Sequence, residues 1–474
     1  MVLKKSSIFT ILIFLIFCSI LLILNGPLNQ TISTPDSISY RYVDSTEQIS
    51  PYLGNYDLQI LSKIDFLGNA LRPWPFNLVL NLIDSDRLTS IFFIILAAFS
   101  WTLLYQSILK LFHTNLFLKI LCTFAVFFFL ISPQIYTWND FILSESFVSS
   151  LSLIFLSIFI HLYIEPIELK LSKFRVYQLS VLLVLYLILA VSRPSLGISL
   201  SILILSLILR FSRNNSSIKY LLGAFVLITQ VYVGFVTNNS SNQWERILGT
   251  SISGTTFSHL SDLRDQKSQN FVNYVRERGA PDCLVNNDLE NTYPWFFSRT
   301  YTANCPSGIK WLEKDFPKTY IFYLLSGSNF RELVLNQFFI SLQGDDYFKY
   351  YSEQKSINLL TPLNDFVWNK TNLYFTIKFI FVTFFALLLA LFRFIKSTSS
   401  KRLFSTNSIF ILVSISGLIN VLLTRILMPD DYGRLGYPGS IYFNLFSLIL
   451  IFSTFDNLIL RPVLKLFNIS FMKV

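Results

Sequence analysis

The residues of this sequence that could do chemistry are carboxylates and arginines lying between long apolar segments. Asp36 follows Pro35 in the polar stretch after the first apolar run, and Asp44 follows in the same stretch. A carboxylate at a membrane surface can act as a general base that removes the proton of an attacking hydroxyl group. Asp36 also suits the N-terminal cap of a helix. Asp44 lies roughly two helical turns further on and could share a face with Asp36. It is a candidate for a catalytic or metal partner, or for a solvated residue.

Arginines at comparable positions suit the binding of phosphate, because the planar guanidinium pairs bidentately with phosphate oxygens. Arg72 precedes a Pro-Trp-Pro run, so it is a candidate for phosphate binding or for interfacial anchoring. Arg193 separates two short apolar segments, where an unpaired charge is costly. We expect it to bind either a donor phosphate or an internal partner such as Glu145. Arg434 either contacts phosphate or pairs with Asp430 or Asp431.

The elements that must position these residues have an unusual composition. The chain has 474 residues, of which 53% are hydrophobic, 16% aromatic and 14% charged. An ordinary soluble domain carries about 25% charged residues, so a soluble enzyme, a disordered protein and a coiled coil are excluded. The sequence predicts an all-α polytopic membrane protein, because helices satisfy every backbone polar group in lipid. About ten transmembrane helices are expected, at 8–24, 89–109, 116–133, 147–164, 177–192, 196–210, 219–236, 374–395, 407–425 and 439–458.

Basic residues flank the apolar runs on one side, which the positive-inside rule assigns to the cytoplasm together with the N-terminus. Because the net charge of +10 is distributed in this way, the expected partner is the lipid bilayer and not nucleic acid. The predicted membrane modules are 1–236, with seven spans and a large outer first loop at 25–88, and 374–474, with three spans. Between them, 237–373 is predicted to form an extracytoplasmic α-rich domain. The short inner loops favour a bacterial plasma membrane.

Cysteines and paired acidic residues in the outer segments raise the questions of a disulfide bond and a metal. Cys283 and Cys305 share the large polar segment, so a disulfide bond between them is expected if that segment faces an oxidising space. The sequence has no C-x-x-C or zinc pattern, and no metal site or cofactor is assigned. The acidic pairs at 345–346 and 430–431 are candidates for contact with a divalent cation or for a solvated surface.

Short elements follow one another on the predicted outer side. They are Pro35-Asp36-Ser37-Ile38-Ser39-Tyr40, Arg72-Pro73-Trp74-Pro75, Ile142-Leu143-Ser144-Glu145, Ser192-Arg193-Pro194, and Arg434 followed by Tyr437-Pro438. In their order along the chain and their common position on the outer side, these elements resemble those of the GT-C superfamily of integral-membrane glycosyltransferases. That superfamily includes protein O-mannosyltransferases and lipid A aminoarabinose transferases. The late motif of that family is often Arg-Tyr, whereas Leu435 follows Arg434 here.

The resemblance implies an inverting transfer of a sugar from a polyprenyl-phosphate donor to a lipid, glycan or protein acceptor outside the cytoplasm. Asp36 would be the base, and the donor phosphate would be bound by Arg72, Arg193 and Arg434. The supporting residues would be Tyr40, Asp44, Glu145 and Tyr437. One alternative is a polytopic transporter or flippase, which should contain internal repeats that this sequence lacks. The other is a non-catalytic scaffold of cell-envelope polysaccharide assembly.

Overall fold

The computed structural model of the protein describes residues 5–25, 66, 74–83, 85–112, 115–140, 144–164, 173–211, 216–248, 266–285, 306–331, 385, 388, 401–427 and 437–456. Every regular element in this described part is helical, and no β-strand occurs in it. The prediction of an all-α protein is confirmed for these residues.

The α-helices of the described part are numbered here in chain order. They are α1 (Lys5–Asn25), α2 (Trp74–Leu82), α3 (Asp86–Leu111), α4 (Leu116–Leu130), α5 (Pro133–Tyr136), α6 (Ser144–Ile164), α7 (Lys173–Ser192), α8 (Pro194–Phe211), α9 (Ser216–Leu248), α10 (Gln266–Arg276), α11 (Asp282–Val285), α12 (Pro306–Lys314), α13 (Phe316–Leu325), α14 (Lys401–Leu427) and α15 (Tyr437–Phe455). A 3-10 helix, Thr137–Asp140, follows α5 directly.

Several of these helices have the length and apolar composition that a membrane span requires. Among the described residues, six segments are long and apolar enough to cross a membrane, namely Ile8–Asn25, Asp86–Leu111, Ser144–Ile164, Lys173–Ser192, Lys219–Val236 and Tyr437–Phe455. Three further apolar helices are shorter, at Leu116–Leu130, Pro194–Arg210 and Ser408–Thr424. Each of these segments coincides with a predicted span, as expected of a polytopic membrane protein. The remaining predicted span, 374–395, lies outside the described residues except for Phe385 and Leu388, so the count of ten stays a prediction.

Local sequence signals explain where several helices begin and end. Ser85 caps α3 by accepting a hydrogen bond from the amide of Leu88 at 3.5 Å, and Asn115 caps α4 through the amide of Leu118 at 3.1 Å. These caps satisfy amide groups that have no partner within the first turn. After α10, Gly279 adopts a φ of 82°, a left-handed conformation that glycine reaches without steric cost.

One continuous apolar core joins the candidate membrane helices and α2. Within this core, the backbones of α14 and α15 approach closely at Gly417. A Cβ on Gly417 would lie 2.5 Å from the carbonyl oxygen of Gly439 and 2.7 Å from the amide nitrogen of Phe443. In the same interface, Ser447 donates to the hydroxyl of Ser414 at 3.2 Å. Small residues and interhelical hydrogen bonds are typical of helix pairs in membranes, because apolar burial alone gives little preference over lipid.

The two ends of the helix bundle carry different contacts. At one end, Asn115 Nδ2 donates to Asp456 Oδ2 at 2.8 Å, and Gln106 Nε2 donates to Thr10 Oγ1 at 2.6 Å. The opposite end holds the first turns of α3, α6, α8 and α15 and the last turns of α7 and α14. We call it the Arg193 end, because Arg193 lies between α7 and α8 there.

A separate helical cluster is built from α10 to α13. Its buried core includes Phe271, Val275, Leu284, Trp311, Phe316 and Tyr323. Cys283 packs against this core and is disulfide-bonded. Its predicted partner, Cys305, lies outside the described residues, so the pairing stays a prediction. Helix α9 continues through 236, the predicted boundary of the extracytoplasmic domain, as far as Leu248.

Candidate functional site

A buried ion pair lies at the Arg193 end. Nη2 of Arg193 is 2.5 Å from Oε1 of Glu145 and also donates to the hydroxyl of Ser144 at 3.1 Å. Arg193 is 7% exposed and Glu145 is 3% exposed, so both charges are shielded from solvent. Taking an ion out of water costs several kcal/mol, and a partner with good geometry is needed to offset that cost.

The tight turn between α7 and α8 presents the Arg193 side chain. Arg193 alone separates the two helices, and its amide still donates to the carbonyl oxygen of Leu189 at 2.9 Å. Pro194 occupies the first position of α8, where the missing amide hydrogen costs no helical hydrogen bond. A Cβ on Gly197 would lie 2.6 Å from Cβ of Ala190, so glycine allows the two helices to meet closely. The guanidinium is therefore held at a fixed corner of the bundle.

Glu145 is fixed by its position in α6. The sequence predicts a span from 147, whereas the helix begins at Ser144 and includes Glu145 in its first turn. A carboxylate there is stabilised by the positive end of the helix dipole. The 3-10 helix before α6 is also held in place through Asn139. Ser146 donates to Oδ1 of Asn139 at 2.6 Å, and Ser90 donates to the Asn139 carbonyl oxygen at 2.9 Å.

The second amino group of Arg193 distinguishes this pair from a saturated salt bridge. Nη1 is buried and has no hydrogen-bond partner among the described residues. A buried donor left unpaired costs about 1–3 kcal/mol. The guanidinium can therefore accommodate one more acceptor, and an anionic oxygen forms the strongest such bond.

The ends of α14 and α15 also meet at this site. The hydroxyl of Ser195 is hydrogen-bonded to Asn420 Nδ2 at 3.3 Å and to Thr424 Oγ1 at 3.2 Å. The ring of Tyr437 lies 5.9 Å from that of Trp138, and both side chains are buried. The helix before the last predicted outer loop and the helix after it therefore both contact the Arg193 end.

Helix α2 contacts the same end from the side of the first predicted outer loop. Nε1 of Trp74 donates to the hydroxyl of Tyr232 at 3.1 Å. The ring of Phe76 packs on that of Phe147, with centroids 5.9 Å apart. Phe147 lies in the same turn of α6 as Glu145, so α2 holds the end of the first loop near the ion pair.

The structure brings two of the sequence-predicted site residues, Arg193 and Glu145, into direct contact. It places a third, Tyr437, at the same end of the bundle. The predicted residues that lie outside the described part are Asp36, Tyr40, Asp44, Arg72, Arg434, Cys305 and the acidic pairs at 345–346 and 430–431. The sequence predicts that Arg193 binds either an internal partner or a donor phosphate, and the structure shows the internal partner, Glu145. Because Nη1 has no partner among the described residues, phosphate binding stays a proposal.

Ser144, Ser195 and Asn420 belong to this site, although they are not among the residues predicted from sequence. Ser144 directly precedes the predicted site residue Glu145, so its position next to Glu145 could have identified it from sequence. Asn420 is an amide inside an apolar run, which is costly in a membrane unless it is paired, so it too can be found from sequence. Ser195 offers no such indication, because serine is frequent throughout these helices.

In the part of the chain that the structure describes, no group of three or more His, Cys, Asp or Glu residues is arranged to hold a metal ion. Comparison of the chain with protein-family profiles, with known proteins and with solved structures finds no match. The function is therefore inferred from the residues of the site.

Proposed function

We propose that the protein is a membrane glycosyltransferase that moves a sugar from a polyprenyl-phosphate donor to an extracytoplasmic acceptor, with inversion at the anomeric carbon. The observation that carries the proposal is the buried guanidinium of Arg193. Glu145 and Ser144 hold its Nη2, and its Nη1 has no partner among the described residues. In this proposal the Arg193 end faces outward from a bacterial plasma membrane, and the N-terminus is cytoplasmic.

A fixed cation suits the departure of a lipid phosphate. The phosphate gains negative charge as the glycosidic bond breaks, and a preorganised cation stabilises that charge without reorganisation. The bonds to Glu145 and Ser144 orient the guanidinium and leave Nη1 for a phosphate oxygen. Because Nη1 is enclosed, donor binding must be accompanied by local opening at this end of the bundle.

The proposed reaction also needs a base, and Asp36 takes that role. Its carboxylate accepts the proton of the acceptor hydroxyl, whose oxygen forms a bond to the anomeric carbon. The bond from that carbon to the phosphate oxygen breaks, and its electrons leave with polyprenyl phosphate. The leaving group is stabilised by Arg72, Arg193 and Arg434, while Tyr40, Asp44 and Tyr437 support the site. No metal is assigned to this step.

Contacts of the loop-flanking helices support a shared site. Trp74, at the end of the first predicted outer loop, lies on α2, which packs beside α6 and α7. Thr424 and Tyr437 flank the last predicted outer loop, and both make contacts at the Arg193 end. The described helices that flank the loops proposed to carry the base and the other arginines thus make contacts at the Arg193 end.

Release of polyprenyl phosphate from radiolabelled polyprenyl-phosphate sugars tests the proposal. The assay uses the full-length protein in membranes that supply envelope lipid and glycan acceptors. Asp36→Asn should lower turnover at least about 10²-fold, and Arg193→Gln should lower it about 10²–10³-fold. Arg87→Gln is the matched control, because Arg87 is an exposed arginine in the first turn of α3 at the same end.

A second variant separates loss of folding from loss of function. Arg193→Gln leaves Glu145 buried without its cation, whereas Arg193→Gln combined with Glu145→Gln removes both charges. We expect this double variant to accumulate as folded protein and to stay inactive. Full turnover by Asp36→Asn and Arg193→Gln would refute the site. No carrier release by the wild type with any acceptor preparation would refute the enzyme and favour a transporter or a scaffold.

A further inference from the structure

Helix α13 is apolar on two faces, and only one of them is buried inside the protein. Phe316 and Tyr323 pack into the helical cluster of α10 to α13. The other face carries Ile321, Phe322 and Leu325, which are 55%, 54% and 70% exposed. These positions are neighbours on one side of a helix. Large apolar side chains grouped in this way on a surface mark a contact with a partner or with a membrane.

A hydrogen bond to α14 gives the depth of this face. The hydroxyl of Tyr320 donates to the carbonyl oxygen of Ile426 at 3.3 Å. Ile426 lies in the last turn of α14, just beyond the apolar segment that ends at Thr424. At about 1.5 Å per residue, the contact is about 3 Å past that apolar segment. A span ending there puts α13 where acyl chains give way to lipid headgroups.

The helical wheel allows α13 to make three contacts at once. Ile321 and Leu325 point roughly 100–140° away from Tyr320, at 100° per residue. Phe316 and Tyr323 lie on the other side of Tyr320 and enter the cluster core. The helix can therefore touch α14 with Tyr320, hold the cluster with its buried face and turn its exposed apolar face away from both.

Basic residues border the exposed face. Lys318 is exposed and lies one turn before Phe322, while Lys314 and Arg331 are exposed on either side of α13. Asp315 is also exposed, so this group of three cations and one anion is net positive. Long basic side chains can reach headgroup phosphates while neighbouring apolar groups enter the acyl boundary. The charge thus favours an anionic lipid surface over a soluble apolar partner.

We propose that α13 is an interfacial helix that inserts Ile321, Phe322 and Leu325 into the headgroup–acyl boundary of an anionic bilayer. Its occupant is the lipid surface, with Lys318 on headgroup phosphates. The helix holds the cluster of α10 to α13 against the membrane beside α14. This inference is independent of the glycosyltransferase proposal, because it uses none of the residues assigned to the reaction.

Site-specific fluorescence on the full-length protein in vesicles tests this. Phe322→Cys and Leu325→Cys are each labelled with an environment-sensitive fluorophore, and Asn273→Cys is the control, because Asn273 is exposed on α10 in the same cluster. The labelled parent protein corrects for the native thiols Cys18 and Cys122. We expect positions 322 and 325 to show blue-shifted emission, strong quenching by nitroxide-bearing lipids and weak quenching by iodide, with the reverse at 273.

Two outcomes would overturn the proposal. Iodide quenching at 322 and 325 equal to that at 273 would place this face in water. Shielding of 322 and 325 from both quenchers would show that protein covers it, such as a second copy of the chain. The charge is tested by Lys318→Glu in the Phe322→Cys protein. Lys318→Glu should reduce quenching of the fluorophore at position 322 by nitroxide-bearing lipids in vesicles that contain phosphatidylglycerol, and not in vesicles of phosphatidylcholine alone. An equal reduction in both would refute the role of anionic lipid.

Discussion

The buried pair of Arg193 and Glu145 predicts a large coupling energy in the folded protein. Glu145→Gln leaves the guanidinium buried without a carboxylate, and Arg193→Gln leaves the carboxylate buried without a cation. Removing one partner of a buried ion pair costs about 3–5 kcal/mol, because an uncompensated charge remains. The double variant removes both charges and keeps two amide side chains that can hydrogen-bond. If it costs no more than one single variant, the coupling energy is at least the cost of the other, about 3–5 kcal/mol.

The free energy of unfolding of the wild type and the three variants is measured in the same lipid–detergent micelles, by denaturant titration followed by circular dichroism. An exposed pair on the same chain is the control. Arg278 Nη1 lies 3.8 Å from Glu277 Oε2, and the two side chains are 43% and 75% exposed. Its coupling energy should be about 0.5 kcal/mol or less.

Additive effects at Arg193 and Glu145 would refute this reasoning. If the costs of the single variants sum to that of the double variant within about 0.5 kcal/mol, the two charges do not interact in the folded state. Such a result would make the pair no stronger than the exposed control pair, as it would be if water reached Arg193. It would also remove the preorganised cation on which the proposed phosphate site depends.

Further predictions concern helix packing and the disulfide bond. Gly417→Ala should lower the free energy of unfolding by about 1–3 kcal/mol, because its Cβ would lie 2.5 Å from the carbonyl oxygen of Gly439. Gly223→Ala, with no described heavy atom within 4 Å of its Cβ, should be neutral or stabilising, and equal losses would contradict the close approach. Cys283→Ser should add one thiol that reacts with maleimide in the denatured protein, because Cys283 is disulfide-bonded. If Cys305 is the partner, Cys305→Ser alone should also add one thiol; the loss of one thiol would exclude it.

The apolar runs predict well where the helices lie in the sequence, but they predict poorly the residue at which each helix begins. The predicted spans at 147 and 177 begin in the structure at Ser144 and Lys173. Hydropathy marks only the apolar part of a helix, whereas polar residues continue its hydrogen bonding beyond that part. The difference matters at the site, because it moves Glu145 from a loop into the first turn of α6. Arg193 separates two apolar segments in the sequence, and in the structure it is the one residue between α7 and α8.

The sequence by itself determined the class of the protein, an α-helical chain with segments that suit a membrane. Composition and the length of apolar runs are local properties, and lipid leaves helices as the way to pair the backbone of such runs. Only the tertiary structure decided that Arg193 meets Glu145, which is 48 positions away in the chain. It also decided that Gly417 meets Gly439 and that one apolar face of α13 stays exposed. Charge pairing, close packing and burial depend on distances in space, which the order of residues does not contain.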